Sequence, residues 1–310
     1  MKSTTKPRLT LRGLEKFYGT EDACKELLAS LRWPSGKPTC PRCNDGAKIY
    51  KTVEAYRWKC KSCNKNGYKF SVLTGTVFEN TNMPLTIWFK VAFLMVSSKK
   101  GISALQIWRM MPPCRGEHGS YKTFWSMCHR IRAAMQDPEG FAKLATGGGI
   151  VEIDETYVGG KEQNKHKSKR LDIRGGHKGK VGVIGAIARK GNVTAQVIEN
   201  LGVTTVERFV KKTISEDVSL VATDQAQVYD YQYYGPNAQH EAVNHSAGEY
   251  VRGIVHTANI DSFWSLLKRG IMGSYHHVSK KYLPMYLNEF SWRYNNRRND
   301  DIFLSVLAGC

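Results

Sequence analysis

Residues 150–160 read I-V-E-I-D-E-T-Y-V-G-G. β-Branched residues alternate with polar ones and a glycine pair closes the run, the pattern of a strand followed by a turn, with Asp154 near its end. Downstream, K-V-G-V-I-G-A-I-A-R-K and V-T-A-Q-V-I form a hairpin around Gly191. Residues 204–214 carry helical spacing, S-L-V-A-T leads as a strand into Asp224, and H-T-A-N-I-D-S-F-W-S-L-L-K-R-G at 256–270 is a helix bearing Asp261. The order is therefore strand with aspartate, two strands, helix, strand with aspartate, later helix with aspartate. Adjacent strand ends can set Asp154 beside Asp224, and two such carboxylates repel unless a cation lies between them. Mg2+ or Mn2+ suits hard oxygen donors. With Asp261 as a third carboxylate, the set can hold two ions for in-line displacement at phosphorus.

Each aspartate also has a plainer reading. Asp154 and Glu155 serve as strand-end turn residues, Asp224 opens the turn T-D-Q-A, and Asp261 caps its helix. Lys268, two helical turns beyond Asp261, can hold a phosphate or solubilise the helix. Glu152 shares a strand face with Asp154 and is a reserve ligand. His245 can orient a phosphate or sit in an ordinary loop. Trp264, Leu267, Leu283, Tyr286, Leu287, Phe290 and Tyr294 read as core.

Four of the eight cysteines are grouped as C-P-R-C and C-K-S-C, separated by sixteen residues. Cys40, Cys43, Cys60 and Cys63 at that spacing suit a tetrahedral thiolate site for structural Zn2+, since each short turn aims two sulfurs at one ion. A redox pair needs only one such turn. Between the pairs, K-I-Y-K-T-V and A-Y-R-W-K-C read as short strands, which makes this a zinc ribbon. Between the ribbon and residue 150, three helices are expected, over 84–96, 101–111 and 121–135. The last two resemble a helix-turn-helix, with Lys122, Arg130 and Arg132 on an exposed face. Ser120 is placed to cap the last helix.

The net charge of +19 favours a polyanionic partner, most simply nucleic acid. Residues 161–180 alone hold eight Lys or Arg against two acids, a basic arm that includes Lys165, Lys167, Lys169 and Arg170. With His245 and Arg269 these complete the candidate DNA contacts. The start lacks the apolar core of a signal peptide, and the run at 87–96 is too short to span a bilayer. A cytoplasmic protein with no membrane partner is expected. The expected domains are a helical extension at 1–35, the ribbon at 36–80, the helical DNA-binding domain at 81–140 and the carboxylate domain at 141–310.

These motifs, in order, carry a resemblance. With G-I-S-A-L-Q, Y-K-T-F-W-S-M-C-H-R-I-R, V-N-H-S-A-G-E-Y-V-R-G and E-F-S-W-R-Y-N-N-R added, the chain from about 13 to 307 resembles bacterial insertion-sequence transposases of the ISXO2-like (IS1595-type) group. The resemblance implies an α+β multidomain fold: zinc ribbon, helix-turn-helix-like domain, and a ribonuclease-H-like, integrase-type catalytic domain with a mixed sheet. It implies binding of terminal inverted repeats of double-stranded DNA, metal-dependent 3′-end cleavage and strand transfer, by a homo-oligomer on paired ends. Asp154 and Asp224 match the first two catalytic carboxylates of the DDE motif, and Lys268 matches a basic residue after the third. The departure is Asp261, where the family usually has glutamate. The alternative is a DNA-binding derivative whose catalysis is impaired at that position.

Overall fold

The computed structural model describes residues 9–111, 119–136, 142–160, 166–169, 179–224, 226–243 and 251–310. Lys165, Arg170 and His245, named above as DNA contacts, lie outside these residues, as does most of the basic arm. The chain divides into two compact units, residues 1–135 with 298–310, and residues 136–297. No helix among the described residues is long and apolar enough to cross a membrane.

In the first unit, helices α1 (Leu11–Tyr18) and α2 (Glu21–Arg32) are capped by Thr10 and Thr20, whose hydroxyls accept from the Gly13 and Ala23 N–H groups. The ribbon is an antiparallel sheet of β1 (Ile49–Lys51), β2 (Arg57–Cys60) and β3 (Tyr68–Ser71). Its small core is aromatic. Trp58 packs edge-on against Trp33 at 4.8 Å and stacks with Phe70 at 5.9 Å. Helix α3 (Leu85–Ser97) is buried on most sides, through Leu85, Ile87, Trp88, Phe89, Val91, Ala92, Met95 and Val96. A helix apolar on most sides, with Lys90 reaching out to Glu15 at 2.9 Å, belongs at the centre of a helical cluster. Helix α4 (Ala104–Met110), capped by Ser103, packs against α5 (Tyr121–Ala134).

Three expectations are corrected here. Arg132 is 2% exposed, so it does not lie on an outward face. Arg130 is half-buried, donating to the Glu79 carbonyl at 2.8 Å with its guanidinium over the Trp88 ring. Helix α5 is contacted by α3, α4 and α9 (Ile302–Gly309), so its buried arc is wider than one amphipathic stripe. Of the three basic residues, Lys122 is the exposed one. Ser120 occupies the position before α5 but makes no side-chain capping bond. Finally, α9 belongs to the first unit and not to the carboxylate domain. Phe303 meets Phe89 edge-on at 5.7 Å, and apolar complementarity decides its place over sequence order.

The second unit is a five-stranded mixed sheet in the order β6-β5-β4-β7-β8. The central β4 (Ile150–Val158) runs antiparallel to β5 (Val181–Ala188), which pairs with β6 (Val193–Ile198) through the expected hairpin. On its other side β4 is parallel to β7 (Leu220–Asp224), which is parallel to β8 (Gln239–Val243). A first strand at the centre, with its hairpin on one side and parallel strands on the other, is the ribonuclease-H-like arrangement. Helix α6 (Val203–Thr213) covers one face, packing Val206, Phe209 and Val210 on Val151, Ile153 and Ile184. Helices α7 (Ala258–Gly270) and α8 (Leu283–Asn295) cover the other, with Ile260, Phe263, Trp264, Leu267, Leu287 and Phe290 on Val183, Ile187 and Val193.

Gly185 lets α7 come close. It pairs with Asp154 across the ladder, and a Cβ there would meet the Trp264 ring at 2.6 Å. Substituting Gly185→Ala should cost about 1–3 kcal/mol by overpacking. Thermal unfolding should show the loss, with a matching change in Trp264 fluorescence read in a variant retaining that tryptophan alone.

Candidate functional site

The sheet register assembles the acidic group. The β4–β7 ladder runs from Ile150–Leu220 to Glu152–Ala222. Asp154 and Asp224 each lie two residues beyond its last rung, level with one another where the ladder has stopped. Asp154 is thus mid-strand, not near the strand end as expected, because β4 continues along β5 alone to Val158. Carboxylate oxygens of Asp154, Glu155 and Asp224 lie within 4.8 Å of one another, all three residues half-buried. Period-two alternation puts Glu155 on the opposite face from Asp154, so the sequence pattern hid it. The side chain reaches round the sheet where the ladder ends, and the buried Tyr229 hydroxyl donates to it at 2.7 Å.

Burial raises the Asp154 carboxyl to about 8, and the neighbouring charges of Glu155, Asp224 and Asp261 add to the effect. The Trp264 indole N–H opposes it, donating to Asp154 Oδ2 at 2.9 Å. Asp261 is exposed in the first turn of α7 and outside the 4.8 Å group, though near enough for its charge to bear on Asp154. It is not the helix cap. Thr257 holds that position and donates its hydroxyl to Asp261 Oδ2 at 3.1 Å. Lys268 and Arg269 are exposed in the last turn. Trp264, Leu267, Leu283, Tyr286, Leu287 and Phe290 are buried, as core residues should be.

Glu152 does not stand as a reserve ligand. It is fully buried and turned to the start of α7, with Oε2 accepting from the Asn259 and Ile260 N–H groups at 2.8 and 3.1 Å. Arg189 Nε and Asn259 Nδ2 donate to its Oε1 at 2.8 and 2.7 Å. Lys167 and Lys169 fall in a short 3-10 turn, with Lys167 exposed.

The cysteines form the second centre. Sulfur separations are 3.5 Å for Cys40–Cys63, 3.7 Å for Cys43–Cys60 and 3.8 Å for Cys60–Cys63. A tetrahedron with Zn–S bonds of about 2.3 Å has edges of about 3.8 Å, so the donor set fits zinc. Burial pushes the Cys60 thiol up, yet backbone N–H groups of Cys63 and Ser62 and the adjacent thiols bring it down to about 7, while Cys43 and Cys63 are raised, so the thiols titrate as one group. The acidic group fits a hard dication by the same test of donor chemistry: three carboxylates converge, and burial with the neighbouring negative charges raises one of them.

A four-cysteine ribbon, with a ribonuclease-H-like sheet that gathers carboxylates beside its central strand, defines a class of zinc-ribbon DNA-processing proteins. Residues 146–295 match the family described as ISXO2-like transposase domain, and residues 19–66 match the transposase zinc-ribbon domain. Residues 146–295 thus carry an ISXO2-like transposase domain, and Asp154, Glu155, Asp224, Asp261 and Lys268 all fall within that span. The chain is also similar to an uncharacterized protein in transposable element ISH50 of Halobacterium salinarum, 29% identical over 289 residues, which cover 90% of this chain and 92% of that one.

Two measurements follow. The folded protein retains a proton on Asp154 that the unfolded chain, with its ordinary carboxyl near 4, releases. Metal-free stability should therefore fall as pH rises from about 4 to 8. Asp154→Asn should flatten that slope, leaving Tm at pH 8 about 3 °C or more above wild type in chelator-treated protein. Separately, Zn2+ removal or Cys60→Ser should lower amide protection across β1–β3 at least about a hundredfold, read by hydrogen exchange, with β4 unaffected.

Proposed function

We propose that the chain is an active DNA transposase. It would bind the terminal inverted repeats of an insertion sequence, cleave at the 3′ ends and join them to target DNA. The observation that carries this reading is the convergence of Asp154, Glu155 and Asp224 at the end of the β4–β7 ladder, within this transposase domain. Two Mg2+ or Mn2+ ions would supply activation of the attacking hydroxyl and stabilisation of the leaving oxygen. Asp154 and Asp224 hold them, with Asp261 completing the set from α7. The Asp261 side chain starts about 1 Å farther off than a glutamate would, a misplacement that can cost about a hundredfold. Lys268, on the Asp261 side of α7, faces a DNA phosphate. Lys122, Lys167, Lys169 and Arg269, with Lys165, Arg170 and His245, contact the DNA backbone. Arg130 and Arg132 instead brace α5 from within. The proposal keeps the ribbon at 36–80, the helical segment at 81–140 and the catalytic domain from 141, with α9 assigned to the first unit. A multimer on paired DNA ends is part of the same proposal.

A second reading, a DNA-binding derivative without chemistry, is favoured by one observation: Asp261 stands outside the 4.8 Å group. The two separate on duplexes carrying the element's own terminal repeats, with Mg2+ and a supplied target. Wild type should give cleaved and strand-transfer products, reduced at least about a thousandfold in D154N and D224N, and about a hundredfold in D261N. Binding without cleavage in wild type, and cutting restored by D261E, would establish the derivative.

A further inference from the structure

The catalytic proposal needs Asp261, on a helix, to be delivered to carboxylates on a sheet. We propose that Glu152 is the positioning residue that does this, acting with Arg189 and Asn259 as a clamp between β4 and the first turn of α7. The proposal rests on the reading of Asp261 as a metal ligand.

A helix start leaves backbone N–H groups without intrahelical partners, and a side chain just before it usually supplies the acceptor. Here Thr257 holds the capping position but spends its hydroxyl on Asp261. The acceptor comes from another element. Glu152, 0% exposed and a hundred residues earlier, takes the Asn259 and Ile260 N–H groups on one oxygen. The positive end of the helix dipole favours a carboxylate there. The other oxygen takes Arg189 Nε and Asn259 Nδ2, while the Ala258 N–H goes to His256 Nδ1 at 3.3 Å. Arg189 goes on to hold the approach to the helix, donating to the carbonyls of Ile254 at 2.6 Å and His256 at 3.1 Å.

Geometry makes this clamp specific to the site. Glu152 and Asp154 are two residues apart on one face of β4, and the helix residues they hold, Ile260 and Trp264, are one turn apart on α7. Two strand positions are thus fixed against two helix positions, and Asp261 follows Ile260 directly. A buried, charge-assisted contact of this kind sets both the distance and the rotation of the helix. Deleting the Glu152 charge would leave the half-buried Arg189 against an amide and free α7 to shift or turn, moving Asp261 while the Asp154–Asp224 pair stays in place.

The test is a double-mutant cycle in the full chain with its ribbon loaded with Zn2+, reading Mn2+ affinity by electron paramagnetic resonance alongside Tm. D261N should weaken Mn2+ binding about tenfold, and E152Q should weaken it by a similar factor, the range of losses when a group orienting a ligand is removed. In the D261N background E152Q should add less than about twofold to the loss, while lowering Tm as much as it does in wild type. D261E, whose longer side chain reaches across a displaced helix, should recover Mn2+ affinity in E152Q but not Tm. If E152Q lowers Tm and leaves Mn2+ affinity unchanged, or weakens binding equally in both backgrounds, the positioning role is overturned and Glu152 is structural. If D261N alone leaves affinity unchanged, the reading of Asp261 fails and takes this one with it. Should E152Q not fold, N259A, which removes one bond to Glu152 and keeps the charge pair, carries the same cycle with a smaller loss.

Discussion

Crowded negative charge at the end of the β4–β7 ladder is the constraint around which the second unit is arranged. Three carboxylates share a half-buried space in which repulsion is stronger than in water, and in which a dication would be held correspondingly more tightly. Each face of the sheet contributes one buried aromatic donor to this group. From the α7 side the Trp264 indole reaches Asp154, and from the α6 side the Tyr229 hydroxyl reaches Glu155. Both donors belong to well-packed core, so the acidic group is anchored in apolar structure on either side and does not depend on solvent for its geometry. Gly185 belongs to the same arrangement, since the strand beside Asp154 gives up a side chain so that the indole can lie against the sheet.

What could be read from the sequence follows from what is periodic. Strand alternation and turn residues located β4, β5, β6 and β7, and helical spacing located α3 to α7, because each element buries one face against a neighbour. Cysteine spacing located the ribbon ligands, since a tetrahedral ion restricts loop lengths. Strand β8, Q-H-E-A-V, escaped because an edge strand with polar residues carries little alternation. Glu155 escaped because alternation assigns it to the wrong face, and only the end of a ladder lets it turn back. Arg132 escaped because a charged residue reads as exposed, whereas its aliphatic stem lets it join a helical core. Glu152 was noticed for its carboxylate, but its partners lie 37 and 107 residues away, beyond any local pattern.

The cysteine group and the carboxylate group differ in their surroundings. The sulfurs stand at separations close to a tetrahedron's edges, held by short turns and a thin aromatic core that would have little else to fold around. The carboxylates stand in a large unit with core on both sheet faces. A metal in the ribbon would be part of the structure, and a metal at the sheet, under the proposed function, a reagent.

Helix α9 gives the chain an unusual order of completion. Residues 136–297 form their own unit, yet the helix that closes the first unit comes after them. During synthesis, the apolar surface around Phe89 waits uncovered until residues 302–309 leave the ribosome, by which time the whole sheet has been made. The half of the protein translated first is therefore finished last. A frameshift or premature stop beyond residue 300 would spare the carboxylate sheet and damage the first unit, whose other described helices, within residues 11–134, were made long before.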